Sequence, residues 1–592
     1  MKRRSFIKAA LIGSSATLTA QKAFALNSPS NNPSQSLVHG HFTHGVASGD
    51  PTQHNVIIWT RYLPFDIQQN PTVVVCWQCA KDRSFKHIIK SGEVTTSAER
   101  DFTLKVDVTG LKSNHKYFYR FKSGYITSDI GEMHTLPSGY VKHASLAVAT
   151  CANYPAGHFH VYKEILKQHE EKPFTALIHL GDYIYEYGMG QYATEHSIEL
   201  DRVPSPAHEC RTLTDYRRRY AQYRTDPDLL ALHKKLAFIC TWDDHEIADN
   251  AYQTGALDEP NTQYYQQRRD AALQAFHEWL PIRDGMVKKG EVYRSFKIGN
   301  LIHLIMMDTR VTGRTKQLDY MDYDLSSPAI AYKQLQADLY NPKHQLLGKP
   351  QKDWLYQELT HQNARWTILG QQVLMTKMDV PFNLLAALLK AKQAHLTRTP
   401  FDHNQVLTAA QQPSILMAPY NLDAWDGYPA DRDWLYLLGN QLGKSFISLA
   451  GDTHNAWSGE LITKTGSNIG VEFASTSITS PGMESYLPLP HRLLRELQGL
   501  FPALVKDLKW ANIVDRGFMR LDCDYDEVEC KWYFVSDILK PKYTILSTTE
   551  TSTEDALYLS DFDTENYQSE TESEDKNDYD DELIEHYGDS DD

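Results

Sequence analysis

Long apolar runs are scarce in this 592-residue chain. Outside a modest apolar stretch at 9–20, nothing approaches the ~20 consecutive apolar residues of a membrane-spanning helix. A transmembrane anchor in the mature chain is therefore not expected. A basic surplus is lacking too. The net charge of −15 arises at the end of the chain, where residues 549–592 hold 18 acidic side chains and one lysine; that is −17, leaving +2 for everything before. A nearly neutral body offers no electrostatic footprint for nucleic acid. The acidic segment 549–592 has little core-forming capacity and is expected to be disordered. Cysteine is sparse and odd in number, seven in all, so at least one thiol stays outside any internal bridge. Cys76 and Cys79 share a strand-like run, VVVCWQCA, and at that spacing point to opposite faces, which argues against a zinc pair. Cys523 and Cys530 flank DYDEVE between two apolar runs, so a bridge across that hairpin is open. No Gly-x-Ser-x-Gly elbow is apparent, and no serine nucleophile is called for.

What is present begins with a targeting pattern. Arg3-Arg4-Ser5-Phe6-Ile7-Lys8 is a twin-arginine motif, the apolar stretch follows, and Ala23-Phe24-Ala25 offers small residues for cleavage. Residues 1–25 are expected to be a signal peptide and 26–38 a linker. The partner implied is the twin-arginine export machinery, and the location periplasmic or extracellular. That route carries folded proteins, often with metal already loaded.

Residues 39–137 read as a small all-β, fibronectin/Ig-like domain, with short strands such as NVIIWTR and KYFYRF between turn signals. Residues 144–535 read as α/β: strands alternate with helical stretches at 160–171, 216–236 and 264–279 and end in a hairpin near 518–535. Residues 376–425 carry few strand signals and suggest an insertion with its own helices.

Five apolar runs in the α/β region end in metal-capable side chains: ASLAVATC at Cys151, LIHLGDYIYE at Asp182, CTWDDHE at Asp243 and Asp244, TILGQQ at Gln371 and Gln372, and SLAGDTH at Asp452. Open α/β sheets place their sites where strand carboxyl ends meet. Asp182 can bridge two cations, and Tyr185 lies three residues on; a phenolate beside a thiolate is consistent with ferric iron. Asp244 is the preferred ligand of its cluster, with His245 facing substrate as charge stabiliser or general acid. Asp452 and His454 share one side of an extended segment. A glutamine oxygen suits a hard ion such as Ca²⁺ better than zinc.

The order Cys, GDxxY, DDHE, GQQ, GDxH resembles the metallophosphoesterase signature of purple acid phosphatases. The longer strings FTHGVASGDPTQHNVIIWTR, HLGDYIYEYG, DYRRRYAQYRTDPDLLALH, TWDDHEIADN, DTR at 308–310, AWDGYPA and GDTHNAW resemble its alkaline phosphatase D (PhoD-like) branch, over about residues 40–535. The resemblance implies a metallophosphoesterase-type β-sandwich core with flanking helices. It implies Fe³⁺ on Cys151, Asp182, Tyr185 and His454, and Ca²⁺ on Asp182, Asp244, Gln371 or Gln372, and Asp452. Asn153 and His245 would lie near the phosphate, and Arg310 would be a phosphate contact or a structural ion pair. The family's carboxy-terminal helix over the cleft is replaced here by the acidic segment.

The reaction so implied is hydrolysis of phosphate mono- or diesters by a metal-bound hydroxide. Substrates would be phosphoester small molecules, phospholipid head groups or cell-wall polymers. Rival readings are a phosphodiesterase or phospholipase-D-like enzyme, an exported cell-envelope binding protein with a degenerate site, and an iron redox protein.

Overall fold

The computed structural model describes residues 39–566, apart from 258, 260–262, 285–289, 325–327, 362, 398, 403, 412–415 and 488. The signal peptide and linker expected over 1–38 lie outside the described residues.

Two sheets stack face to face at the centre of a mixed α/β architecture. The first has ten strands among the described residues, and its middle carries the parallel strands Ala144–Ala149, Ala176–His179 and Phe238–Cys240. The second has seven, with a parallel middle formed by Ile302–Met306, Trp366–Gly370, Phe446–Ala450 and Asn468–Ala474. Apart from Asn468 at the start of the last, all seven central strands are buried along their whole length, as expected for strands covered on both faces. Alternation decides which layer each side chain joins. Leu146, Val148 and Ile178 meet Ile302, Leu304, Ile368 and Leu449 between the sheets, whereas Ala147, Ala149 and Leu177 face an outer layer with Val161, Tyr162, Tyr216 and Phe276. A second outer layer covers the other sheet, with Leu355, Leu435 and Leu497.

The structure redraws several expectations. The all-β region is not closed off, because Gly40–Gly49 pairs with Phe238–Cys240 through Gly49 and Phe238, so three of its strands extend the ten-stranded sheet. The stretch 216–236 is two helices, Leu213–Tyr223 and Pro227–Lys235. Asp226 caps the second through the backbone N–H groups of Asp228 and Leu229, with Pro227 in its first turn. The insertion carries helices Phe382–Thr397 and Asn404–Gln411. The acidic segment is not wholly outside the fold: Ile545–Glu554 pairs along Glu527–Val535, and Asp563–Asn566 adds an edge. Its threonines explain this, since Thr549, Thr551 and Thr553 alternate inward and β-branched side chains suit a pleated surface. Residues 567–592 lie outside the described residues. All seven cysteines are free; Cys523 faces Val528 in the hairpin and Cys530 faces Leu521, so no bridge spans it.

Candidate metal centre

Every loop of the site leaves the carboxyl end of a buried strand. In three of them non-glycine residues take the left-handed backbone: Cys151 (φ 59°), Asp182 (φ 52°), and both Asp452 (φ 63°) and His454 (φ 58°) in one loop. Such conformations are uncommon for side-chain-bearing residues and collect at functional sites. They turn the side chains back over the strand ends. Gly181 (φ 108°) lets the Asp182 loop pass the Asp243 backbone, where a Cβ would meet Asp243 N at 2.5 Å.

Glu246 ties two loops together. One carboxylate oxygen accepts from the backbone N–H of Asp182 (3.0 Å) and of Asp243 (2.7 Å), and the other from Tyr183 (2.6 Å). Tyr185 Oη donates to Asp182 Oδ2 at 2.9 Å and lies 2.9 Å from His454 Nε2. His454 Nδ1 donates to the Pro481 carbonyl at 2.6 Å, which leaves the Nε2 lone pair aimed at Tyr185 and Asp182. Glu186 accepts from His245 Nδ1 at 2.9 Å and from the Asp249 backbone.

Ligand-capable atoms meet in three groups, each within 4.8 Å: Cys151, Asp182 and His454; Asp182, Asp244 and His245; and Asp243, Asp244 and Asp452. Asp182 is shared by the first two and Asp244 by the last two. The electrostatics favour added cations. Burial, then Asp182, pushes the Cys151 thiol and the Tyr185 phenol well above their ordinary ranges. Burial raises Asp452 to about 8 despite Arg310, with Asp423, Asp244 and Asp182 adding to the rise. His245 loses proton affinity by burial but gains more from Asp244, Glu186 and Asp182, so it is held as imidazolium. A thiol, a phenol and several carboxylates crowded at one point, with Arg310 as their buried counter-charge, are a donor set that fits multivalent cations. Asn153 is fully buried, and both side-chain polar atoms lack a partner. That is costly unless a ligand engages them.

Three of the expected site residues are engaged by the protein's own groups. Gln372 is saturated: its oxygen accepts from Thr309 N (2.9 Å) and Oγ1 (2.6 Å), and its amide donates to Trp242 O (2.6 Å). The Gln371 oxygen accepts from Trp425 Nε1 (3.1 Å) and Val373 N (3.0 Å). Through these bonds both amides brace the loops beneath the strand ends. Arg310 is fully buried and forms ion pairs with Asp423 (2.7 Å), Asp243 and Asp452. Sequence reading also missed Asp423, Pro481 and Tyr192, which touch the site from other parts of the chain. Glu186 was visible in principle, four residues after Asp182 in the same motif.

A cleft of about 320 Å³ opens over Asp182, Asp244, His245, Asp452 and His454. Its far wall is apolar: Leu385, Leu388 and Leu389 from the insertion helix, with Met483 and Leu487.

Stacked parallel strand ends carrying acidic, thiol and imidazole groups around an open cleft define an α/β enzyme with a candidate metal centre. The chain belongs to the PhoD-like phosphatase family, whose model matches residues 146–532; the model of the family's N-terminal domain matches residues 27–137. It is 33% identical over 500 residues to alkaline phosphatase D of Bacillus subtilis (strain 168), across 81% of this chain and 76% of that protein. A solved structure of PhoD superposes with a TM-score of 0.71 at 26% identity, covering 91% of this chain and 94% of the other. The protein is a hydrolase of phosphoester bonds.

Proposed function

We propose that the chain is an exported, metal-dependent phosphoesterase with a metallophosphoesterase-type core. Cys151, Asp182, Tyr185 and His454 would hold Fe³⁺, and Asp182, Asp244 and Asp452 would hold Ca²⁺. The observation that carries the reading is the sharing of Asp182 between two metal-capable groups. Bound there, paired cations supply Lewis acidity, activation of a water and charge neutralisation for the phosphate. The protein's own groups do the rest. Asn153 would offer its unpartnered amide to the phosphate, and Arg310 fixes Asp243 and Asp452 from behind. With Nδ1 of His245 engaged by Glu186, the Nε2 proton is the one available to the leaving oxygen. The export assignment rests on the twin-arginine pattern at residues 3–8.

A phosphodiesterase is the second reading, favoured by the apolar wall of Leu385, Leu388, Leu389, Met483 and Leu487. It can receive an ester group that a monoester lacks. Turnover of p-nitrophenyl phosphate and bis-p-nitrophenyl phosphate, with chelator and with Ca²⁺ restored, tests both. Chelator-sensitive release recovered by Ca²⁺ is expected, faster for the diester. Chelator-resistant turnover would refute the metal assignment, and a faster monoester would refute the second reading.

A further inference from the structure

A second cavity, about 680 Å³, lies at the opposite edge of the central strands. It is lined where they begin, at Lys142 and His143 before Ala144–Ala149, at Pro173–Thr175 before Ala176–His179, and at 235–237 before Phe238–Cys240. The metal-capable groups sit where those strands finish. Even the shortest of these strands, Phe238–Cys240, with three residues at ~3.3 Å per residue, puts the two sites at least about 10 Å apart.

Its charges do not balance. Glu132 serves three cations, Arg83 (3.1 Å), Lys235 (2.7 Å) and Lys116. Asp522, beside His143, is taken by Lys172 and Arg520, each at 2.8 Å. Lys142 has no ion-pair partner among the described residues. Lys116, Lys142 and Lys235 line the cavity against the single carboxylate of Glu132, and a concave site with a surplus of one sign of charge concentrates the opposite ion. Burial, then Lys116, pushes His169 down to about 4, with Glu132 opposing. Beneath the cations the floor is apolar, with Met133, Phe174 and Leu236, and Tyr140 stands 72% exposed at the mouth, stacked on Tyr525.

We propose that this cavity is a second ligand site for an organic phosphate anion, its charge held by Lys116, Lys142 and Lys235 and its ring or carbon skeleton by Phe174, Leu236 and Tyr140. The site stands apart from the cleft and does not rest on the metal assignment.

Phenylphosphonate tests it, since its P–C bond resists hydrolysis. Calorimetric titration of the metal-loaded full chain is expected to show two sites, one matching the constant for inhibition of turnover. In Lys142→Glu, an exposed substitution that disturbs no ion pair, the second site is expected to weaken at least tenfold with kcat/KM unchanged. In Lys116→Ala/Lys142→Glu it is expected to vanish. Inorganic phosphate, which has charge but no ring, is expected to bind there at least tenfold more weakly. A single site that tracks inhibition, or a second site unaffected by Lys142→Glu, overturns the proposal; equal affinity for inorganic phosphate overturns the assignment of the apolar floor.

Discussion

Gly181→Ala is the sharpest perturbation of the metal centre that leaves every candidate ligand in place. At φ 108° the new Cβ would lie 2.5 Å from Asp243 Cβ and from Asp243 N, and 2.8 Å from the Trp242 carbonyl carbon. Ordinary contact begins at 3.4 Å, so the Asp182 loop and the Asp243 loop must part by about 0.9 Å. These neighbours are backbone and Cβ atoms, which cannot swing aside as a long side chain would. Glu246 clamps both loops, so the shift is expected to pass to Asp182 and Asp244. Misplacement of reacting groups by about 1 Å costs roughly 10²-fold in rate, or about 2.7 kcal/mol of transition-state stabilisation. A fall of that size in kcat/KM for bis-p-nitrophenyl phosphate is expected, together with reduced metal content after dialysis. Gly443→Ala is the control. Gly443 also has positive φ (61°), yet nothing lies within 4 Å of its Cβ position, at the end of helix Pro429–Leu442. It should lose about 1 kcal/mol of stability and no activity. Gly181→Ala with kcat/KM within about threefold of wild type would refute the claim that close approach of these two loops sets the geometry.

Glu246→Gln keeps the shape of the clamp but replaces one acceptor with a donor, leaving at least one buried backbone N–H unpaired at about 1–3 kcal/mol; lower kcat with a lower thermal midpoint is expected, and unchanged stability would remove its bracing role. Arg310→Met strips the counter-charge from Asp243, Asp423 and Asp452, a loss of about 3–5 kcal/mol for a broken buried pair. The fall in Tm should be larger in chelated protein than in loaded protein, where added cations substitute. A raised KM at unchanged Tm would instead make Arg310 a phosphate contact. Asp522 gives a pH signature. Although burial alone would raise it, Arg520, Lys172 and Ser145 hold its carboxyl well below the usual range. Its stabilisation is therefore present above the unfolded carboxylate pKa near 3.9 and disappears as pH falls below it through the depressed folded value. Asp522→Asn should lower Tm at pH 7 and flatten the acid limb of a Tm–pH curve; an unchanged acid limb would remove the group from that balance.

The legible part of this protein was the part written locally. A buried strand followed by Gly-Asp or Asp-Asp-His-Glu marks itself, because apolar alternation must stop where the polar donors begin, and so Cys151, Asp182, Tyr185, Asp244, Asp452 and His454 could be gathered from sequence alone. The break between Tyr223 and Pro227 was also written there, in an Asp-Pro cap that a longer helical reading overrode. Other features depended on tertiary context. A glutamine after a strand can face a cation or its neighbours with equal chemistry, and only packing shows the Gln371 and Gln372 amides spent on Trp425, Thr309 and Trp242. Composition assigned 549–592 to disorder, yet Ile545–Glu554 becomes a strand because Glu527–Val535 presents an open edge to its threonines. Asp423, more than 100 residues from Arg310 in sequence, becomes its partner only when the insertion folds over the second sheet. Local pattern determined which side chains could bind metal; the meeting of distant strand ends decided which of them come within reach of one another, because that depends on register and on which loop passes over which.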